Sequence, residues 1–104
     1  MHIEYAAGVF KGRMQSAPIH ALIGLVAEPE FLQQADLLGD KKVQALAAKL
    51  LKAYDSGLRF QKATQKQRET IAAALLEKHG TPLAVYAAAM GMSELQFMAI
   101  VEAV

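Results

Sequence analysis

From Asp40 onward the chain is punctuated by helix starts and stops at regular intervals, and this spacing constrains its fold more than any other feature. Asp40 is placed to cap a helix in which Val43, Leu46, Ala47, Leu50, Leu51 and Tyr54 recur every three or four residues, with Gly57 at its end. Thr64 and Gln67 have the spacing of a capping box that opens a second helix, whose apolar side is Ile71, Ala72, Leu75 and Leu76 and which closes at His79 and Gly80. Thr81 followed by Pro82 opens a third, running through Tyr86 to Met90 and stopping at Gly91. Ser93 with Gln96 opens a fourth, which carries Leu95, Phe97, Met98, Ile100 and Val101.

The first forty residues are less plainly marked. Pro18 and Pro29 stand where first-turn prolines belong, for helices over 19–26 and 30–38, with Gly39 ending the second. Before Ser16, the alternation of Ile3, Tyr5, Ala7 and Val9 suits an irregular segment or a lone edge strand. Twenty of the 104 residues are Ala and only ten are Gly or Pro, a balance that favours helix over loop or disorder. The expectation is one all-α domain over residues 1–104, a compact bundle of five or six short helices ending in a helical hairpin.

The chain holds no Cys, which excludes disulfides, thiolate catalysis and zinc–thiolate or iron–sulfur sites, and the plain expectation is a reducing cytoplasm. Residues 17–27 form an uncharged stretch of eleven, against the roughly 20 that a membrane span requires. Lys11 and Arg13 before it imitate a signal peptide faintly, but Glu4, Pro18 and His20 argue for a core helix. No membrane partner is expected. His2, His20 and His79 lack ligand spacing, so no metal is expected, and His79 suits the last turn of its helix, where imidazolium complements the dipole. Glu28 and Glu30 flank Pro29 and are explained by the positive end of the helix that follows.

The hydroxyls of Ser16, Ser56, Ser93, Thr64, Thr70 and Thr81 lie in no nucleophile elbow, and Gly8 with Gly12 is followed by Arg13 and Met14 where a phosphate loop needs Lys and Ser/Thr. No catalytic residue, cofactor or small-molecule substrate is indicated, and the chain reads as a binding protein rather than an enzyme.

The near-neutral total conceals a segregated charge. Residues 1–40 hold two basic and five acidic groups, residues 41–68 eight basic and one acidic, and residues 69–104 one basic and four acidic. Lys42, Lys49 and Lys52 fall within an arc of roughly 80° on the first of the four helices, on the side away from Val43, Leu46 and Leu50, and Arg59, Lys62, Lys66 and Arg68 continue the positive region. Such a face suits an acidic protein or nucleic acid.

Residues 83–102 resemble a helix-turn-helix motif. Ala87 falls at the fifth of twenty places, where two helices cross closely, and Gly91 at the ninth, where the turn needs φ > 0. Tyr86, Met90, Met92, Phe97 and Ile100 fill its apolar places. The resemblance implies, as an alternative, a DNA-binding transcriptional regulator. The outward places hold Ser93, Glu94, Gln96 and Glu102, and no Lys or Arg follows Lys78, which does not suit phosphate.

Residues 83–92 and 95–101 carry no charge at all. Two consecutive helices apolar on nearly every side are hard to wrap in a domain of this size, so the expectation is self-association as a homodimer over residues 83–104, through Tyr86, Met90, Met92, Leu95, Phe97, Met98 and Val101.

Overall fold

The computed structural model describes residues 2–14 and 17–104, and is helical throughout, with no strand among the described residues. Eight helical segments follow in order: α1 (Ile3–Arg13), α2 (Pro18–Val26), α3 (Pro29–Leu32), α4 (Ala35–Leu38), α5 (Lys41–Asp55), α6 (Lys62–His79), α7 (Pro82–Ala89) and α8 (Glu94–Ala103). The expected five or six become eight for two reasons. The N-terminal segment is a helix and not a strand, and the helix expected over 30–38 breaks at Gln34, whose ψ of 73° is not helical. The break lets α3 pack on α2 and α5 while α4 packs on α5 and α6.

Local chemistry sets most boundaries. Asp40 accepts from the backbone N–H of Lys42 at 2.7 Å and of Val43 at 3.3 Å, and Thr81 Oγ1 accepts from Ala84 N at 3.1 Å. Ser93 and Gln96 close a full capping box: Ser93 Oγ accepts from Gln96 N at 3.1 Å, and Gln96 Oε1 accepts from Ser93 N at 2.9 Å. Gly91, at φ 68°, makes the turn between α7 and α8 in a conformation that a side chain would strain.

Thr64 departs from its expected part. Helix α6 begins two residues earlier, at Lys62, and its N-cap Gln61 offers no side-chain hydrogen bond. Thr64 is instead buried inside the first turns, where its hydroxyl donates to Gln61 O at 2.9 Å.

One hydrophobic cluster draws buried residues from all eight segments. Its centre is an aromatic trio. The Phe10 ring stands edge-on to Tyr86 at 5.0 Å and to Phe97 at 5.8 Å, while Tyr86 and Phe97 stack at 5.7 Å. The Tyr86 hydroxyl donates to Ala21 O at 2.6 Å, so the one polar atom of the trio is satisfied and ties α7 to α2. Burial drives the Tyr86 phenol far above its ordinary value, with Arg13 opposing weakly and Glu28 and Tyr5 adding to the rise. Helix α1 supplies Phe10 to the trio and buries Ala6 and Ala7 on the same side, and Lys11 Nζ donates to Val104 O, joining α1 to the end of α8.

Candidate nucleic-acid interface

The two sets of candidate residues fare differently. Of the self-association set, Tyr86, Phe97 and Val101 lie in the core and present nothing to a second copy. Their cover is α1, the helix that the alternating pattern of residues 3–9 disguised. Met90, Met92 and Met98 are half-buried, and Leu95 is 86 % exposed. Helices α7 and α8 meet at 95°, within the roughly 90–120° of helix-turn-helix pairs, and Ala87 is buried near their crossing. The outer side of α8 carries Glu94, Leu95, Ala99 and Glu102, and Gln96 is spent in the capping box. That side has the shape of a DNA reader without its chemistry.

Of the basic set, Lys42, Lys49, Lys52, Arg59, Lys62 and Lys66 are exposed, and Arg68 is not. Helices α5 and α6 pack together and leave between them a groove of about 360 Å³ lined by Leu46, Ala63, Lys66, Gln67 and Thr70. Lys42 and Lys49, four residues before and three after Leu46, do not face away from it as expected but share its side of α5, because Leu46 lies at the edge of the apolar stripe and is only half-buried. Lys52 lies a further 60° or so round the helix, away from it.

Arg68 is only 4 % exposed, because its side chain runs back along α6 toward the helix start. Nε donates to Thr64 Oγ1 at 3.3 Å, and Nη2 donates to Gln61 O at 3.4 Å and to Gln65 Oε1 at 3.0 Å. All three acceptors are neutral. Glu69 is held by the Gln65 amide at 2.7 Å and does not meet Arg68, and no carboxylate among the described residues forms an ion pair with it. The guanidinium centre lies 5.5 Å from the centroid of the Phe60 ring. Phe60 is 63 % exposed and is the one non-glycine residue with positive φ, 54°, among the described residues.

The position of this charge is adverse twice over. A guanidinium is always ionised, and a buried ion without a counter-charge is costly. The N-terminus of α6 carries the positive end of the helix dipole, worth roughly half an elementary charge, and Arg68 rests against it. Nearby lies Tyr54, 6 % exposed, whose hydroxyl is buried without a partner among the described residues. Burial pushes that phenol up, opposed by Arg68 and then Arg59, while Glu28 adds to the rise.

The described serine and threonine hydroxyls all engage their own helices: Ser56 Oγ donates to Lys52 O at 3.1 Å and Thr70 Oγ1 to Lys66 O at 2.9 Å, while Thr64, Thr81 and Ser93 bond as above. Ser16 lies outside the described residues. No group of three or more metal-ligating side chains gathers among the described residues, and His79 Nε2 is buried without a partner at the end of α6. The depression of about 540 Å³ beside α6 is rimmed by Asp40, Glu77 and Lys78, where the Asp40 carboxylate is occupied in capping α5. No single helix among the described residues is long and apolar enough to cross a membrane. Neither a family model, nor a curated protein, nor a solved structure matches this chain.

Proposed function

We propose that this protein is a non-enzymatic binding module that engages an anionic partner through the basic side of α5 and α6. One observation carries the reading: Arg68 is buried at the positive end of α6 with no carboxylate against it, beside a row of exposed lysines that form no ion pairs among the described residues. A surface lysine is cheap to keep and proves little. A buried, uncompensated cation is expensive, and a bound anion relieves both of its penalties at once. Titration of the protein with heparin, polyglutamate and oligonucleotides checks this. Binding is expected at low ionic strength and falls steeply as salt rises, whereas failure of all three to bind refutes it.

Self-association is the second reading, now on a smaller surface. It is favoured by Leu95, which stands on the outer side of α8 with Met98 and Ala99 at helical spacing and Met92 at the foot of the turn. Leu95→Glu is expected to convert a dimer to a monomer in light scattering, with folding stability changed by less than about 0.5 kcal/mol because the side chain is already in water. A wild-type protein that is monomeric at high concentration removes this reading.

A further inference from the structure

The basic side of α5 and α6 leaves open which anion it meets, and Phe60 bears on that choice. An apolar ring left mostly in water, on a backbone conformation unfavourable to a bulky residue, gains little for the fold. Its ring is backed by the Arg68 guanidinium, which is itself held by Thr64, Gln61 and Gln65. The ring is thus a supported platform with exposed surface remaining, and exposed cations flank it along the chain: Arg59 precedes it, Lys62 follows two residues later, and Lys66 stands one turn beyond Lys62.

We propose that this constellation binds single-stranded nucleic acid, with a base stacked on Phe60 and the phosphates of neighbouring nucleotides neutralised by Arg59, Lys62, Lys66 and the guanidinium of Arg68. The inference rests on the anionic-partner reading and narrows it. An aromatic ring among cations is the recurrent device for gripping a flexible strand, because every base has a face to stack while the charges follow the backbone. A duplex hides its bases inside and offers the ring nothing, and an acidic peptide needs the cations but not the ring. Arg68 serves the site from behind: held by Thr64, Gln61 and Gln65, its guanidinium stiffens the platform and adds its positive charge to the field that meets the phosphates.

The chain has no Trp, so the Phe60→Trp variant carries a single indole that reports on the site directly. Its fluorescence is expected to be quenched by an oligothymidylate of about ten nucleotides and left unchanged by polyglutamate. Phe60→Ala is expected to weaken oligothymidylate binding about tenfold while leaving the salt dependence as it is, since stacking releases no counterions. With about four phosphates contacted, affinity for the single strand should fall about 50-fold between ~50 and ~200 mM salt. Circular dichroism of both variants confirms that they remain folded. Oligothymidylate binding without indole quenching and without loss in Phe60→Ala overturns the stacking proposal but leaves the basic-side reading standing. Preference for duplex DNA, or binding of polyglutamate alone, has the same effect. If no polyanion binds, both fall together.

Discussion

Two clusters of this molecule are built from similar side chains and arrive at opposite balances. Around Phe10, Tyr86 and Phe97 the rings pack on one another, and the phenol hydroxyl has its acceptor in Ala21 O. Around Tyr54, Phe60 and Arg68, among the described residues, a buried hydroxyl has no partner, a ring lies open to water and a buried cation has only neutral acceptors. The first cluster is complete within the chain. The second is incomplete by the same physical rules, and it lies where the exposed cations Arg59 and Lys62 also stand. Folding accounts for one, and the proposed anion site would account for the other.

Removing a phenylalanine ring from each cluster separates the two most directly. Phe97→Ala is expected to cost about 3–5 kcal/mol in urea unfolding, because a fully buried ring leaves a cavity and its aromatic neighbours lose their partner. Phe60→Ala is expected to stay within about 0.5 kcal/mol, since the open ring takes little apolar surface from water. Equal losses at the two positions would mean that Phe60 belongs to the core economy and not to a site.

The complete cluster was the harder of the two to see in the sequence. Caps declare themselves locally, which is why Asp40, Thr81 and the pair Ser93 and Gln96 are legible without any tertiary information. Helix α1 is not, because Ile3 and Tyr5 lie on its exposed side while its inward side is made of Ala6, Ala7 and Phe10. Two alanines give almost no apolar contrast, although their spacing of three and four to Phe10 was the signal that would have found the helix. Once that cover is missed, α7 and α8 look too apolar for their own domain, and Tyr86, Phe97 and Val101 are assigned to a surface they never reach. At the other cluster the composition was legible and the burial was not. Arg68 sits in a run of basic residues, and only the packing of Thr64 beneath it separates it from its exposed neighbours. Thr64 itself was misleading, since its spacing to Gln67 is that of a cap while its hydroxyl serves Gln61 O and Arg68.

The next test concerns the hydroxyl of Tyr86. Tyr86→Phe removes a buried hydrogen bond to a carbonyl inside α2 and is expected to destabilise by about 0.5–1.5 kcal/mol. The same residue gives a pH dependence of known sign. Burial holds the folded phenol above the value of about 10 that it has in the unfolded chain. Its contribution is therefore fully present below pH ~10 and is lost as pH rises above that, because only the unfolded state then sheds the proton. The urea midpoint of wild type should fall between about pH 8 and pH 11, and less so in Tyr86→Phe. An identical fall in the variant would place the alkaline sensitivity elsewhere.

Arg68 separates stability from function. Arg68→Met keeps much of the volume and removes the buried charge, and it is expected to leave stability unchanged or raise it by about 1 kcal/mol, as apolar replacement of buried ions often does. Polyanion affinity should fall at the same time. A variant that is both less stable and unchanged in binding would return Arg68 to a purely structural part, and with it the contrast between the two clusters.

The smallest expected effect is the most discriminating, because it sets one phenol against another. Tyr54→Phe removes a hydroxyl that the fold buries without an acceptor, so nothing is left unpaired by its loss. The change is expected to lie between neutral and about 1 kcal/mol of stabilisation, opposite in sign to Tyr86→Phe. Burial also raises the Tyr54 phenol, with Arg68 opposing, so removing it should trim the loss of stability above pH ~10 as well. If Tyr54→Phe instead destabilises the protein as Tyr86→Phe does, its hydroxyl is satisfied after all, and one of the three uncompensated features beside the α6 start disappears. If it stabilises, the chain keeps at that place a polar group its own fold does not need, next to a cation its own fold does not neutralise, and the two are best explained together.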